Sequence, residues 1–117
     1  MTSPTVDDLA ISPEALYERV EQKKLFTLVD VRMPDLVDPN DFTEEPYFEV
    51  MHIPYVEFLD EPEKTLARLP RDREIIFICR TGNKTRMVME EIKDEPFEKT
   101  WVEGGLAAWR NFTSRVR

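Results

Sequence analysis

Cys79, the chain's one cysteine, ends the apolar run Glu74-Ile75-Ile76-Phe77-Ile78 and is followed at once by Arg80-Thr81-Gly82-Asn83-Lys84-Thr85. Gly82 and Asn83 are residue types that readily take left-handed backbone angles, so this segment can curl with its N–H groups pointing inward. A nest of that kind, leading into a helix N-terminus, holds an anion or a thiolate. Arg80, Lys84 and Arg86 add three cations within eight residues, with no acid among them. Thiolate is the nucleophilic form of cysteine, and a helix N-terminus with nearby cations favours it. A bare cysteine at a strand end is more often a small core side chain. The attached loop argues instead for a reactive thiol.

Such a loop needs a strand before it and a helix after it. The run ending at Cys79 is the strongest strand signal in the chain, and a helix carrying Val88 and Ile92 to about Lys93 follows. Upstream, Ser12-Pro13-Glu14 reads as a helix start with a capping serine, a proline at the first position and an acid at the positive end. That helix carries Ala15, Leu16 and Val20 and closes at Lys23-Lys24. Phe26-Thr27-Leu28-Val29-Asp30-Val31 reads as a strand covered on both faces. His52 to Leu59 reads as a short strand around Val56 and Phe58, and Asp60 with Glu63 as a capping box for a helix through Leu66 and Leu69. Thr100-Trp101-Val102 gives a last strand, Gly104-Gly105 a turn, and Leu106 to about Thr113 a closing helix. Strands alternating with helices predict an α/β fold: a mainly parallel sheet with helices on both faces.

At 117 residues the chain is the length of one domain. Residues 1–10 read as an acidic lead-in and 11–117 as the domain. The formal net charge of -8 disfavours nucleic acid and anionic membrane as partners. One cysteine cannot form an intramolecular disulfide, the first residues have no signal-peptide pattern, and no apolar run is long enough to span a bilayer. A cytoplasmic setting is therefore expected. No Cys/His cluster has metal-ligand spacing and no glycine-rich nucleotide loop is present, so neither a metal nor another cofactor is expected. Trp101 and Trp109 read as core, and Glu90 to Lys99 as a solvated helix face and turn.

Four segments in order, Val29-Asp30-Val31-Arg32, His52-Ile53-Pro54, Ile76 to Thr85, and Glu103-Gly104-Gly105 followed by Trp109, resemble the single-domain rhodaneses. The resemblance covers nearly all of the chain from Ile11. It implies a rhodanese-like fold with a five-stranded sheet, and sulfurtransferase chemistry in which Cys79 carries sulfur as a persulfide. The implied substrates are a small anionic sulfur donor, thiosulfate or a persulfide, and a thiol or cyanide acceptor. Arg80 to Thr85 would form the anion-binding loop, with Asp30, Arg32 and Arg86 supporting it and His52 hydrogen-bonding its own turn. Related cysteine phosphatases use a loop one residue longer, Cys-x5-Arg. Here Thr85 stands at the sixth place after Cys79 and Arg86 comes one too late, which disfavours phosphatase chemistry. Arsenate reduction usually draws on further thiols, which this chain lacks.

The chain departs from the family pattern at Lys84, where the family often has arginine, and at Met51 and Tyr55, where it has glycine. Its gap from Asp30 to His52 is roughly twice the usual one. The extra acidic and aromatic segment, at about 33–51, reads as a long ordered loop that shapes the pocket or docks a protein partner. Docking defines the alternative reading, a binding or regulatory module with little turnover.

Overall fold

The computed structural model describes residues 3–116. Five strands, β1 (Ala10–Ile11), β2 (Phe26–Asp30), β3 (Phe48–His52), β4 (Glu74–Ile78) and β5 (Lys99–Val102), form one sheet in the order β1-β5-β4-β2-β3. Every strand pairing in it is parallel, and Asp30 is in register with both Ile78 and His52. All five residues of β2 are buried, as a strand covered on both faces requires.

Alternation along the strands divides the core into two layers. Val29, Ile75, Phe77 and Cys79 face one way, towards Phe58, Leu66, Val88, Met89 and Ile92. Those residues belong to α2 (Tyr55–Asp60), α3 (Pro62–Leu66) and α4 (Asn83–Ile92). Phe26, Leu28, Ile76 and Ile78 face the other way, towards Leu16 of α1 (Pro13–Glu21) and Leu106 of α5 (Gly105–Val116). Phe77 stands against Phe58 edge to face, with ring centroids 5.6 Å apart. Full burial of one such ring contributes roughly 1.5–3 kcal/mol, so these contacts fix the height of β4, and with it of Cys79. Helix α1 begins as its sequence demands: Ser12 Oγ accepts from the Ala15 N–H at 3.1 Å and Pro13 occupies the first position. It ends at Glu21, and Lys23 turns the chain with φ 55°.

Several local expectations are corrected. Val56 and Phe58 lie in helix α2, not in a strand; the strand is earlier, at Phe48–His52, inside the segment read as loop. Pro54 ends it, because a proline there cannot continue the ladder but suits the residue before a helix. The Asp60–Glu63 capping box does not form: Glu61 precedes α3 without a side-chain cap, and Pro62 starts it. The residues before β1 are not a loose lead-in. Val6 is buried, and its carbonyl accepts from Trp101 Nε1 at 2.8 Å. Lys99 is buried instead of solvated, its Nζ donating to the Glu95 carbonyl at 2.6 Å, and burial pushes its ammonium below the usual lysine range.

Candidate active site around Cys79

Parallel strands bring their carboxyl ends to one edge, where the loops after β2, β3 and β4 converge. Val31 N–H donates to the Ile78 carbonyl at 2.9 Å and carries the ladder past β4, so Cys79 leaves the sheet from a fixed point. Gly82 then takes φ +102°, a left-handed angle that aims its N–H back into the loop. That N–H donates to Cys79 Sγ at 3.1 Å. Thr85 Oγ1 stands 3.6 Å from the sulfur and donates its proton to the Gly82 carbonyl at 2.8 Å. A hydroxyl has one proton to give, so in this arrangement it meets the thiol as an acceptor. A thiolate would draw that proton towards itself. Asn83, Lys84 and Thr85 form the first turn of α4, whose N–H groups have no intrahelical partners.

The loop's outer side is held by α5. Leu106 N–H donates to the Cys79 carbonyl at 2.8 Å and Ala107 N–H to the Arg80 carbonyl at 3.0 Å. Gly105, with φ +62°, permits this approach: a Cβ there would lie 2.5 Å from the Cys79 carbonyl oxygen. The Gly104-Gly105 pair read as a turn is thus also the contact that carries the loop.

Arg32 braces the neighbouring edge. Its guanidinium meets Asp30 through Nε at 2.9 Å and Nη2 at 2.6 Å, and Nη2 also reaches Asp41 at 2.7 Å. Nη1 donates to the Leu36 carbonyl at 2.9 Å, and the Arg32 carbonyl meets His52 Nε2 at 2.8 Å. The Asp30 hydrogen bonds hold Arg32 well above the ordinary arginine range. Asp41 also pairs with Arg110 of α5. Burial is the largest influence on Asp41 and opposes its charge. Hydrogen bonds from Arg32 and the Asp38 N–H, with the charges of Arg32 and Arg110, nevertheless hold it below the ordinary 3.8.

A cavity of about 310 Å³ reaches Cys79, lined by Arg32, Met33, Leu36 and Tyr55 together with Arg80, Thr81, Asn83 and Lys84 of the loop. The thiol at its foot is itself only 2 % exposed. Lys84 Nζ lies over the Tyr55 ring, 4.9 Å from its centroid, and among the described residues neither Arg80 nor Lys84 forms an ion pair. Arg86 is elsewhere. It pairs with Asp7, stacks on Trp101 and lines a separate cavity behind the loop, because one helix residue beyond Thr85 turns the side chain to another face. The expected trio of free cations is therefore a pair. Met33, Leu36, Asp41, Leu106 and Ala107 are the site residues that sequence reasoning missed. Among the described residues, no group of three or more His, Cys, Asp or Glu side chains is arranged to hold a metal ion, and no helix is long and apolar enough to cross a membrane.

Fold and site together define a parallel α/β domain that presents a cysteine in a loop leading into a helix N-terminus. Residues 12–112 match the model of the rhodanese-like domain, and the chain belongs to that family. It is 33% identical over 103 residues to the putative sulfurtransferase YtwF of Bacillus subtilis, covering 88% of this chain and 91% of that one. It is 29% identical to the putative sulfur carrier protein YrkF of the same organism, covering 88% of this chain and 51% of that one. Among solved structures, a rhodanese-related protein from Thermoplasma volcanium superposes with a TM-score of 0.64 at 25% identity, covering 88% of this chain and 91% of that one.

Proposed function

We propose that the chain is a sulfurtransferase working through a Cys79 persulfide. The observation that carries this reading is the Gly82 N–H on Cys79 Sγ, in a loop that lines a cavity. The Cys79 thiolate attacks the outer sulfur of the donor. With thiosulfate the S–S bond breaks, sulfite leaves with its electron pair, and Cys79–S–S⁻ remains. An acceptor thiolate then attacks the outer sulfur, leaves as its own persulfide and restores the Cys79 thiolate; cyanide leaves as thiocyanate. Preorganised N–H donors favour the thiolate, the departing anion and the persulfide charge alike. No proton needs to be taken from Cys79 during the reaction once the thiolate is formed, so the absence of a histidine at the sulfur is no obstacle.

Loop length supports sulfur over phosphoryl transfer. Thr85, buried and bonded to the Gly82 carbonyl, closes the loop where a phosphatase pattern would place arginine, and Arg86 turns away. The insert aromatics that motivate the docking-module alternative are engaged within the fold: Phe42 and Tyr47 are partly buried against the core and Phe48 is a buried strand residue. Asp30 and Arg32 act in this reading by holding the loop edge, and Arg80 and Lys84 by attracting the anionic donor.

Intact-protein mass spectrometry tests it directly. Incubation with thiosulfate or a hydropersulfide adds about 32 Da to the wild type, and cyanide or dithiothreitol removes it, as expected of an activated thiolate. Cys79→Ser stays folded by circular dichroism and gains nothing. Sulfur loading that survives in Cys79→Ser would overturn the mechanism.

A further inference from the structure

We infer that the sulfur donor is organic, a sulfane sulfur carried on an apolar body, and that Met33 and Leu36 of the insert together with Tyr55 select it. The inference rests on the sulfur-transfer reading and narrows its substrate. Inorganic thiosulfate is a compact, strongly hydrated dianion; an apolar wall removes its water and offers no hydrogen bond in return. The lining of this cavity is mixed: Arg80 and Lys84, with Arg32 beside them, suit an anionic head, and Met33, Leu36 and the Tyr55 ring suit an apolar body. Its volume of about 310 Å³ lies at the small end of the roughly 300–1,000 Å³ typical of pockets for organic ligands.

The apolar wall stands ready before a ligand arrives. The Leu36 carbonyl accepts from Arg32 Nη1, and Arg32 is in turn locked between Asp30 and Asp41, so the insert turn needs no ordering on binding. Tyr55 is fixed by its N–H on the Val31 carbonyl at 2.8 Å and by Lys84 above its ring. Met33 and Leu36 nevertheless remain 37% and 51% exposed, apolar surface without a cover at the entrance to the thiol. With a hydropersulfide R–S–SH, the Cys79 thiolate takes the outer sulfur, Cys79–S–SH forms, and R–S⁻ leaves with the electrons of the broken S–S bond. With an aryl thiosulfonate the leaving group is the aryl sulfinate, and Cys79–S–S⁻ remains.

Alkylation of the protein's one thiol by iodoacetamide reads occupancy without requiring turnover. Benzenesulfonate, an anionic head on an apolar body, should slow it at a concentration about tenfold or more below that needed with sulfate, the difference expected of a fitted apolar contact. Leu36→Ser and Met33→Ser, both at solvent-exposed positions, should each shrink that ratio at least about threefold, with melting temperatures confirming a folded chain. In parallel, kcat/KM for benzenethiosulfonate should exceed that for thiosulfate, and the same substitutions should lower this ratio. Equal protection by the two anions, or ratios indifferent to both substitutions, overturns the inference and leaves sulfur transfer standing. Absence of sulfur loading from either donor overturns the sulfur-transfer reading, and the choice of donor falls with it.

Discussion

Gly105 carries no reactive group, yet the loop around Cys79 depends on it. A methyl group there would lie 2.5 Å from the Cys79 carbonyl oxygen and 2.7 Å from the Arg80 carbonyl carbon and oxygen, all backbone atoms that cannot swing aside. Its φ of +62° is in addition a region where an L-residue costs about 1–2 kcal/mol. Gly105→Ala is expected to destabilise the domain by about 2–4 kcal/mol in urea unfolding and to slow sulfur loading of Cys79, because the loop must move with the helix. Gly82→Ala meets only the Trp101 ring edge, at 3.3 Å, but carries its own strain at φ +102° and moves the N–H that faces the sulfur. Its expected signature is therefore a larger loss of loading rate for a smaller loss of stability. An equal rate of loading in Gly82→Ala and wild type would show that this N–H is not needed.

At the scale of elements, the insert between β2 and β3 is a strap. Its anchor is Asp41, which joins Arg32 beside β2 to Arg110 of α5. Asp41→Asn is expected to cost about 1.5–3 kcal/mol, the scale of a hydrogen bond to a charged partner, since Arg32 keeps its two bonds to Asp30. The pH dependence follows from the direction of the shift. A carboxyl held below its unfolded value of 3.8 contributes fully above that value and loses its contribution as pH falls through the lower folded value. Urea midpoints followed from about pH 5 down to about pH 3 should thus fall less steeply in Asp41→Asn than in the wild type. Identical slopes would remove Asp41 from the account of acid stability.

The same strap shows what could and could not be read from the sequence. Strands β2 and β4, helices α1 and α4 and the Cys79 loop were legible, because a continuous apolar run, a Ser-Pro start and a glycine among cations act through near neighbours in the chain. Strand β3 was not. Glu49 and the preceding acids and prolines mask it, and its place comes from pairing with β2 at the sheet edge, where one exposed residue in the strand is no penalty. Asp41 and Leu36 were equally hidden, since their roles arise from contacts with Arg32 and Arg110 that no local pattern encodes. Tyr55 had a signal, as a bulky residue where the family has glycine, but not the direction of its ring.

At the scale of the molecule, the sheet order places β1, the first strand, beside β5, the last. The segment before it covers Trp101 through Val6 and pairs with Arg86 through Asp7. Removing residues 1–9 is expected to lower the melting temperature by about 4–8 °C for each kcal/mol lost and to shift tryptophan emission to the red as the Trp101 indole meets water. Unchanged emission would mean that the indole is buried without this cover.

The grip of Leu106 and Ala107 on the carbonyls of Cys79 and Arg80 also has a consequence in time. Proteins emerge from the ribosome amino end first, so Cys79 leaves the ribosome before the helix that braces its loop. A nascent or prematurely terminated chain ending before Gly105 would contain the thiol and both loop cations but not the brace. In the sulfur-transfer reading, the loop around Cys79 is therefore complete only once the first turn of α5 has joined the fold.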